Sequence, residues 1–265
     1  MNLSEVVDTI TVDGKGARLC IDKSWLQGRT VFGGVVAMVG HAALRTQVPA
    51  ELPLRTLQMA FVGPTGEKEI RAEARVLRQG KSVTHVQAEV KTEEGEVCAT
   101  LHGCFGAGRR SCVERPGEPA PIWPRPEELM ELPFMEGLAP SFTQHLRYCW
   151  ARGPYPYEGK TEGCYGGWIS CHGPSKVATE SHLLALMDAW PSPALSMLKT
   201  PSPASTLSWN LEFLHPVSYG STGAWWAFES AVETASQGYV AEEARLWNPD
   251  GELVAVSRQS VVVFG

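Results

Sequence analysis

Val31-Phe-Gly-Gly-Val-Val-Ala-Met-Val-Gly-His-Ala-Ala-Leu44 is the stretch on which the fold turns. A surface helix carries a polar stripe, and this run shows none until Arg45 and Gln47 close it. It reads as a helix buried on every side, with a glycine pair at its entrance. A membrane span takes roughly 20 apolar residues, so the run is too short to imply a bilayer. Outward from it, Leu57, Met59 and Phe61 alternate with Gln58 and Ala60, a period of two. Ile70 to Val76 alternate with Glu69, Arg71, Glu73 and Arg75, and Thr84 to Val90 with His85, Gln87, Glu89 and Lys91. Each strand has one wet and one apolar face, as an antiparallel sheet buried on one side requires. Thr92-Glu-Glu-Gly95 forms the hairpin, with glycine at the left-handed position, and Val97, Ala99, Leu101 and Phe105 complete the meander. Upstream, Thr9–Val12 and Ala17–Ile21 read as short strands about Gly14-Lys-Gly16. The packing this implies is a sheet curled around the helix.

The second half repeats the first. Phe61-Val-Gly-Pro64 matches Phe213-Leu-His-Pro216, 152 residues on, and Gly95-Glu-Val-Cys-Ala99 matches Gly251-Glu-Leu-Val-Ala255, 156 residues on. About four residues are therefore inserted between the two matches, expected in the Val217–Gly223 loop. A second apolar helix, Ser181-His-Leu-Leu-Ala-Leu-Met-Asp-Ala-Trp190, precedes the repeated strands and is halted by Pro191. The proline-rich stretch 107–140, with a short helix expected at Pro126–Glu131, reads as a linker. The expected organisation is an N-terminal unit over 1–106, the linker over 107–140 and a C-terminal unit over 141–265.

Composition narrows the function. The 265 residues are 43% hydrophobic and 20% charged, with net charge −6. The densest basic cluster is Arg109-Arg110, too little to neutralise a phosphate backbone, so no nucleic-acid partner is expected. Met1–Asp8 carries acids where a signal peptide has a basic region and an apolar core, which points to the cytoplasm. The seven cysteines are odd in number and show no C-x-x-C pair, and the seven histidines show no H-x-x-x-H pair. Free thiols are expected, with no metal and no cofactor. There is no P-loop, dinucleotide fingerprint or G-x-S-x-G elbow.

A helix followed by a long antiparallel meander, occurring twice, resembles the double-hotdog acyl-CoA thioesterases, the bacterial type II enzyme and its relatives. The marks are Val31-Phe-Gly-Gly34, the Phe-x-x-Pro strand ends and Leu186-Met-Asp-Ala189. The resemblance implies an α+β pseudo-dimer of two hotdog units in one chain. It also implies an acyl-CoA substrate and, by analogy with hotdog sheets that associate further, a homo-oligomer. The family's catalytic Asp, Thr or Ser, and Gln fall on Asp188, Thr206 and Gln259. Asp188 is the single acid between Ser181 and Lys199, Thr206 stands ten residues before Pro216, and Gln259 stands eight after Gly251 in the last strand.

The chemistry fits these residue types. Thioester hydrolysis needs a positioned water, an acceptor for its proton, and donors for the developing oxyanion. Asp188 can take the proton while Thr206 and Gln259 orient the water. Phe32, Gly33 and Gly34 would bind substrate, because a helix N-terminus has free N–H donors and glycine admits close approach. The structural alternatives are that Asp188 bonds a backbone N–H beyond Pro191, that Thr206 is a cross-strand hydroxyl, that Gln259 faces solvent, and that the glycines serve tight packing. The first half has no acid over residues 30–47 and has Gly103 where the second has Gln259, so one site per chain is expected. His41 reads as a satisfied core residue. A hotdog protein that binds an acyl-CoA-like ligand without turning it over is the alternative function.

Overall fold

The computed structural model describes residues 1–214 and 218–264. His215, Pro216 and Val217, which include the end of the second Phe-x-x-Pro motif and the start of the expected insertion, lie outside the described residues.

The chain opens with a short helix, α1 (Leu3–Thr9), absent from the sequence reading. Asn2 caps it, its side chain accepting from the N–H of Glu5 while the Glu5 side chain accepts from Asn2 in return. The first strand, β1 (Thr11–Asp13), consequently starts two residues later than expected, and β2 (Gly16–Cys20) follows. A two-stranded ribbon, β3 (Leu26–Gln27) and β4 (Thr30–Val31), leads into α2 (Gly33–Arg45). Then come β5 (Leu54–Phe61), β6 (Glu69–Gln79), β7 (Val83–Lys91) and β8 (Val97–Gly106). The second half comprises β9 (Leu146–Arg152), β10 (Cys164–Cys171), α3 (Glu180–Asp188), β11 (Ala204–Phe213), β12 (Trp226–Ser236), β13 (Tyr239–Trp247) and β14 (Leu253–Val263). The helix expected at Pro126–Glu131 is a single 3-10 turn over Pro126–Glu128.

Twelve strands form one antiparallel sheet in the order β1-β2-β6-β7-β8-β5-β11-β14-β13-β12-β10-β9. The order is a palindrome about the β5–β11 pair, where Gln58 faces Asn210, its own equivalent 152 residues on. The repeat extends to the irregularities. Register shifts at Leu54/Thr56, Val76/Arg78 and Val90/Lys91 recur at Thr206/Ser208, Val232/Thr234 and Leu246/Trp247. The first pair is related by the offset of 152 and the other two by 156, which places the insertion between Phe213 and Trp226.

Both helices lie on one face of this sheet, α2 against β2, β6, β7 and β8, and α3 against β13 and β14. They run antiparallel to each other. A Cβ on Gly34, in the first turn of α2, would lie 3.0 Å from the Cα of Ala185. Farther along α2, the buried His41 ring sits 3.1 Å from the Ser181 hydroxyl and 2.9 Å from the Glu180 carboxylate at the start of α3. His41 is thus satisfied on both ring nitrogens. Val35, Ala37, Met38 and Val39 are fully covered, as are Leu183, Leu184 and Leu186. Burying each large aliphatic side chain contributes about 1.5–3 kcal/mol, and that explains why neither helix shows a polar stripe. The segment before β9 crosses the second half, held by N–H donations from the Trp168 indole to the Pro124 carbonyl and from the Trp247 indole to the Glu118 carbonyl.

Candidate active site

Thr179 caps α3 together with His182, and the helix stops at Asp188, two residues short of the expected end. The Tyr148 hydroxyl donates to the Ala189 carbonyl at 3.0 Å, and Pro191 cannot continue a helix. An acid in a last helical turn opposes its own helix dipole. The antiparallel pairing resolves this, because the C-terminus of α3 meets the N-terminus of α2. The Asp188 carboxylate faces the backbone N–H of Gly34, at the positive end of the neighbouring helix, which favours its anion. Gly33 leaves the space for it, since a Cβ there would lie 2.7 Å from Asp188 Oδ2 and 3.1 Å from the Phe61 ring.

The other components come from the sheet. Trp209 faces Gln259 across β11 and β14, and Thr206 faces Val261. The register shift between Thr206 and Ser208 puts Thr206 on the same inward face as Trp209, in spite of the odd spacing. The Thr206 hydroxyl donates to Gln259 Oε1 at 2.9 Å. With its oxygen so engaged, the Gln259 amide turns its N–H donors to Asp188. Thr206, Gln259, Asp188 and the Gly34 N–H form one polar cluster that joins the two halves.

A fourth polar side chain belongs to this region and was missed in the sequence. Glu242 on β13 is the cross-strand partner of Gln259, is 6% exposed, and accepts from the Ser192 hydroxyl. Its signal was available, since Val240, Glu242, Ala244 and Leu246 alternate inward and the repeat offset of 156 maps Glu242 onto Val86. A narrow cleft beside Gln259, with room for about one water, is lined by Met187, Trp190, Phe228, Glu242 and Ser257. The indole N–H of Trp190 and the hydroxyl of Ser257 have no partner among the described residues, and buried donors of that kind call for an explanation.

Both carboxyls are tuned by their surroundings. Burial raises Asp188 from 3.8 to about 7, against the Gly34 N–H and the Gln259 amide, which favour the anion. Burial likewise raises Glu242 to about 7, with the Ser192 hydroxyl working against it and the charge of Asp188 adding to it. An acid near 7 is poised to take a proton at neutral pH.

The structure thus brings Asp188, Thr206 and Gln259 together with Gly33 and Gly34. It also fills the glycine entrance. The Gly34 N–H is engaged by Asp188, and a Cβ on Gly34 would meet the Phe32 ring at 2.6 Å. Phe32 is fully buried and stacks on Phe142 at 3.9 Å between centroids. In the first half the equivalents of Thr206, Trp209, Glu242 and Gln259 are Leu54, Leu57, Val86 and Gly103, an apolar set.

Comparison with known proteins agrees with this architecture. Residues 21–106 match the acyl-CoA thioesterase N-terminal domain and residues 126–263 the acyl-CoA thioesterase C-terminal domain. No curated protein matches the chain by sequence. Among solved structures, a hot dog fold protein of unknown function from Alicyclobacillus acidocaldarius is 20% identical with a TM-score of 0.87, over 99% of this chain and 98% of the other. A putative thioesterase II from Thermobifida fusca is 20% identical with a TM-score of 0.82, over 100% and 98%. An acyl-CoA thioesterase II from Mycobacterium marinum is 16% identical with a TM-score of 0.74, over 99% and 98%. At such identities these likenesses establish the fold. Among the described residues no helix is long and apolar enough to cross a membrane.

Proposed function

The chain belongs to the acyl-CoA thioesterase family, whose N- and C-terminal domains it carries in order, and from that premise we propose that it hydrolyses an acyl-CoA thioester with Asp188 as general base. The observation that carries the reading is the contact of Asp188 with both the Gln259 amide and the first turn of α2. Water, held by Gln259 and Thr206, loses its proton to Asp188 as it attacks the thioester carbon. The carbon–sulfur bond breaks, the free acid forms, and the thiolate leaves as CoA once it takes a proton. When substrate enters, the Gly34 N–H in the first turn of α2 donates to the carbonyl oxygen in place of facing Asp188. Donors aimed at developing charge are the largest electrostatic contribution to such reactions.

A thiol-release assay over acyl-CoAs from short to long tests the proposal. Wild-type protein should release CoA from members of this series, and on the best substrate Asp188→Asn should lower turnover by about 10²–10⁴ with little change in affinity. Background hydrolysis by wild type with intact acyl-CoA binding would assign the chain to ligand binding instead. Full activity in Asp188→Asn would remove Asp188 from the mechanism.

A further inference from the structure

On the outer face of the first half, away from α2, three side chains converge that no sequence spacing had joined. His102 and Cys104 alternate on β8 and share a face, and His85 on β7 is the cross-strand partner of Cys104. His85 Nδ1 lies 3.1 Å from His102 Nε2 and 3.1 Å from Cys104 Sγ, and the three atoms all fall within 4.8 Å of one another. All three residues are half-buried. From these atoms we infer a binding site for a divalent transition-metal ion of the zinc class, held by His85, His102 and Cys104 with water in the fourth position.

Three observations carry the inference. A tetrahedral zinc with bonds of about 2.0–2.1 Å to nitrogen and 2.3 Å to sulfur sets its ligand atoms about 3.4–3.6 Å apart, and the two short separations here are within a few tenths of that. A single two-centre hydrogen bond cannot serve both contacts, because His85 Nδ1 has one proton or one lone pair and faces two partners at equal distance. A cation accepts a lone pair from each of the three at once, after the thiol loses its proton. Finally, the fold does not demand these residues. The second half has Ala241, Arg258 and Ser260 at the equivalent positions, with Ala241 facing Ser260 as His85 faces Cys104. Two imidazoles and a thiolate select zinc, cobalt or copper over magnesium and calcium, which take oxygen ligands. The neighbouring inward residues Leu101, Gly103 and Phe105 are buried, and Gly103 packs on Leu44 of α2, so the site lies across the sheet from Asp188.

The test uses the full chain, stripped of metal by a chelator and titrated with Co²⁺ as a spectroscopic probe. One equivalent per chain is expected, giving tetrahedral d–d bands and a thiolate charge-transfer band that Zn²⁺ displaces. Cys104→Ser should abolish the charge-transfer band. Loss of an outer-shell partner alone weakens metal sites about 10–100-fold, so His85→Ala and His102→Ala should weaken binding by more than about 100-fold. Zn²⁺ should raise the melting temperature of wild type and leave that of His102→Ala unchanged, while metal-free melts of the two show that the variant folds. Cys112→Ser, which alters an exposed thiol elsewhere, should bind as wild type does. A thiolate band that survives Cys104→Ser, or no band at one equivalent, would overturn the inference.

Discussion

At the scale of single residues, Asp188 accounts for both the proposed chemistry and a burden on stability. Its folded pKa of about 7 exceeds the unfolded value near 3.8, so folding disfavours the anion. The penalty is fully present above pH 7 and fades as pH falls toward 4, with a ceiling of about 4 kcal/mol at 1.36 kcal/mol per unit. Asp188→Asn should therefore melt above wild type at pH 8 and lose that advantage at pH 4, a reversal of the usual penalty for buried substitutions that calorimetry at the two pH values checks. Turnover of wild type should fall as pH drops through about 7, since the base must be ionised. Thr206→Val and Gln259→Ala should lower turnover less than Asp188→Asn, because each orients the water without taking its proton. Combined with Asp188→Asn they should add little, and steady-state rates of the single and double variants measure that directly.

At the scale of elements, the antiparallel contact of α2 and α3 turns an unfavourable position into a useful one. Asp188 alone would sit at the wrong end of its helix; against α2 it meets a helix N-terminus. Gly33 makes that approach possible. Gly33→Ala gains up to about 1 kcal/mol of helix propensity, but its methyl must displace Asp188 Oδ2 and the Phe61 ring, and overpacking costs about 1–3 kcal/mol. Gly40→Ala meets the buried Leu101 side chain, away from Asp188. Both variants should lose some stability, yet only Gly33→Ala should lose turnover, and melting curves read beside kcat separate the two effects. An equal loss of turnover in both would mean that the glycine at the entrance serves packing alone.

At the scale of the molecule, duplication has yielded one polar site and one apolar counterpart. Thr206, Glu242 and Gln259 correspond to Leu54, Val86 and Gly103, and the counterpart positions are buried in the first core. A non-hydrolysable acyl-CoA analogue should accordingly bind at one equivalent per chain, as isothermal titration calorimetry would report. Two equivalents would show that the first half keeps a working site. The first half still contributes, because the Gly34 N–H that engages Asp188 belongs to it, so neither half holds the whole constellation.

The sequence by itself determined the architecture, because burial writes itself into periodicity. Helices without a polar stripe must be enclosed, alternating strands must cover them, and two matched motifs at offsets of 152 and 156 mark the duplication. The resemblance to the thioesterase family nominated Asp188, Thr206 and Gln259 as candidates, because residue type and distance from the shared motifs survive in one dimension. Only the tertiary structure decided what those residues touch. The placement of Asp188 on Gly34 depends on the antiparallel helix contact, Thr206 faces inward because of a register shift, and Glu242 matters because β13 pairs with β14 beside Gln259. His85 meets Cys104 for the same reason: strand pairing sets neighbours by hydrogen-bond register across the sheet, and spacing along the chain does not record that register.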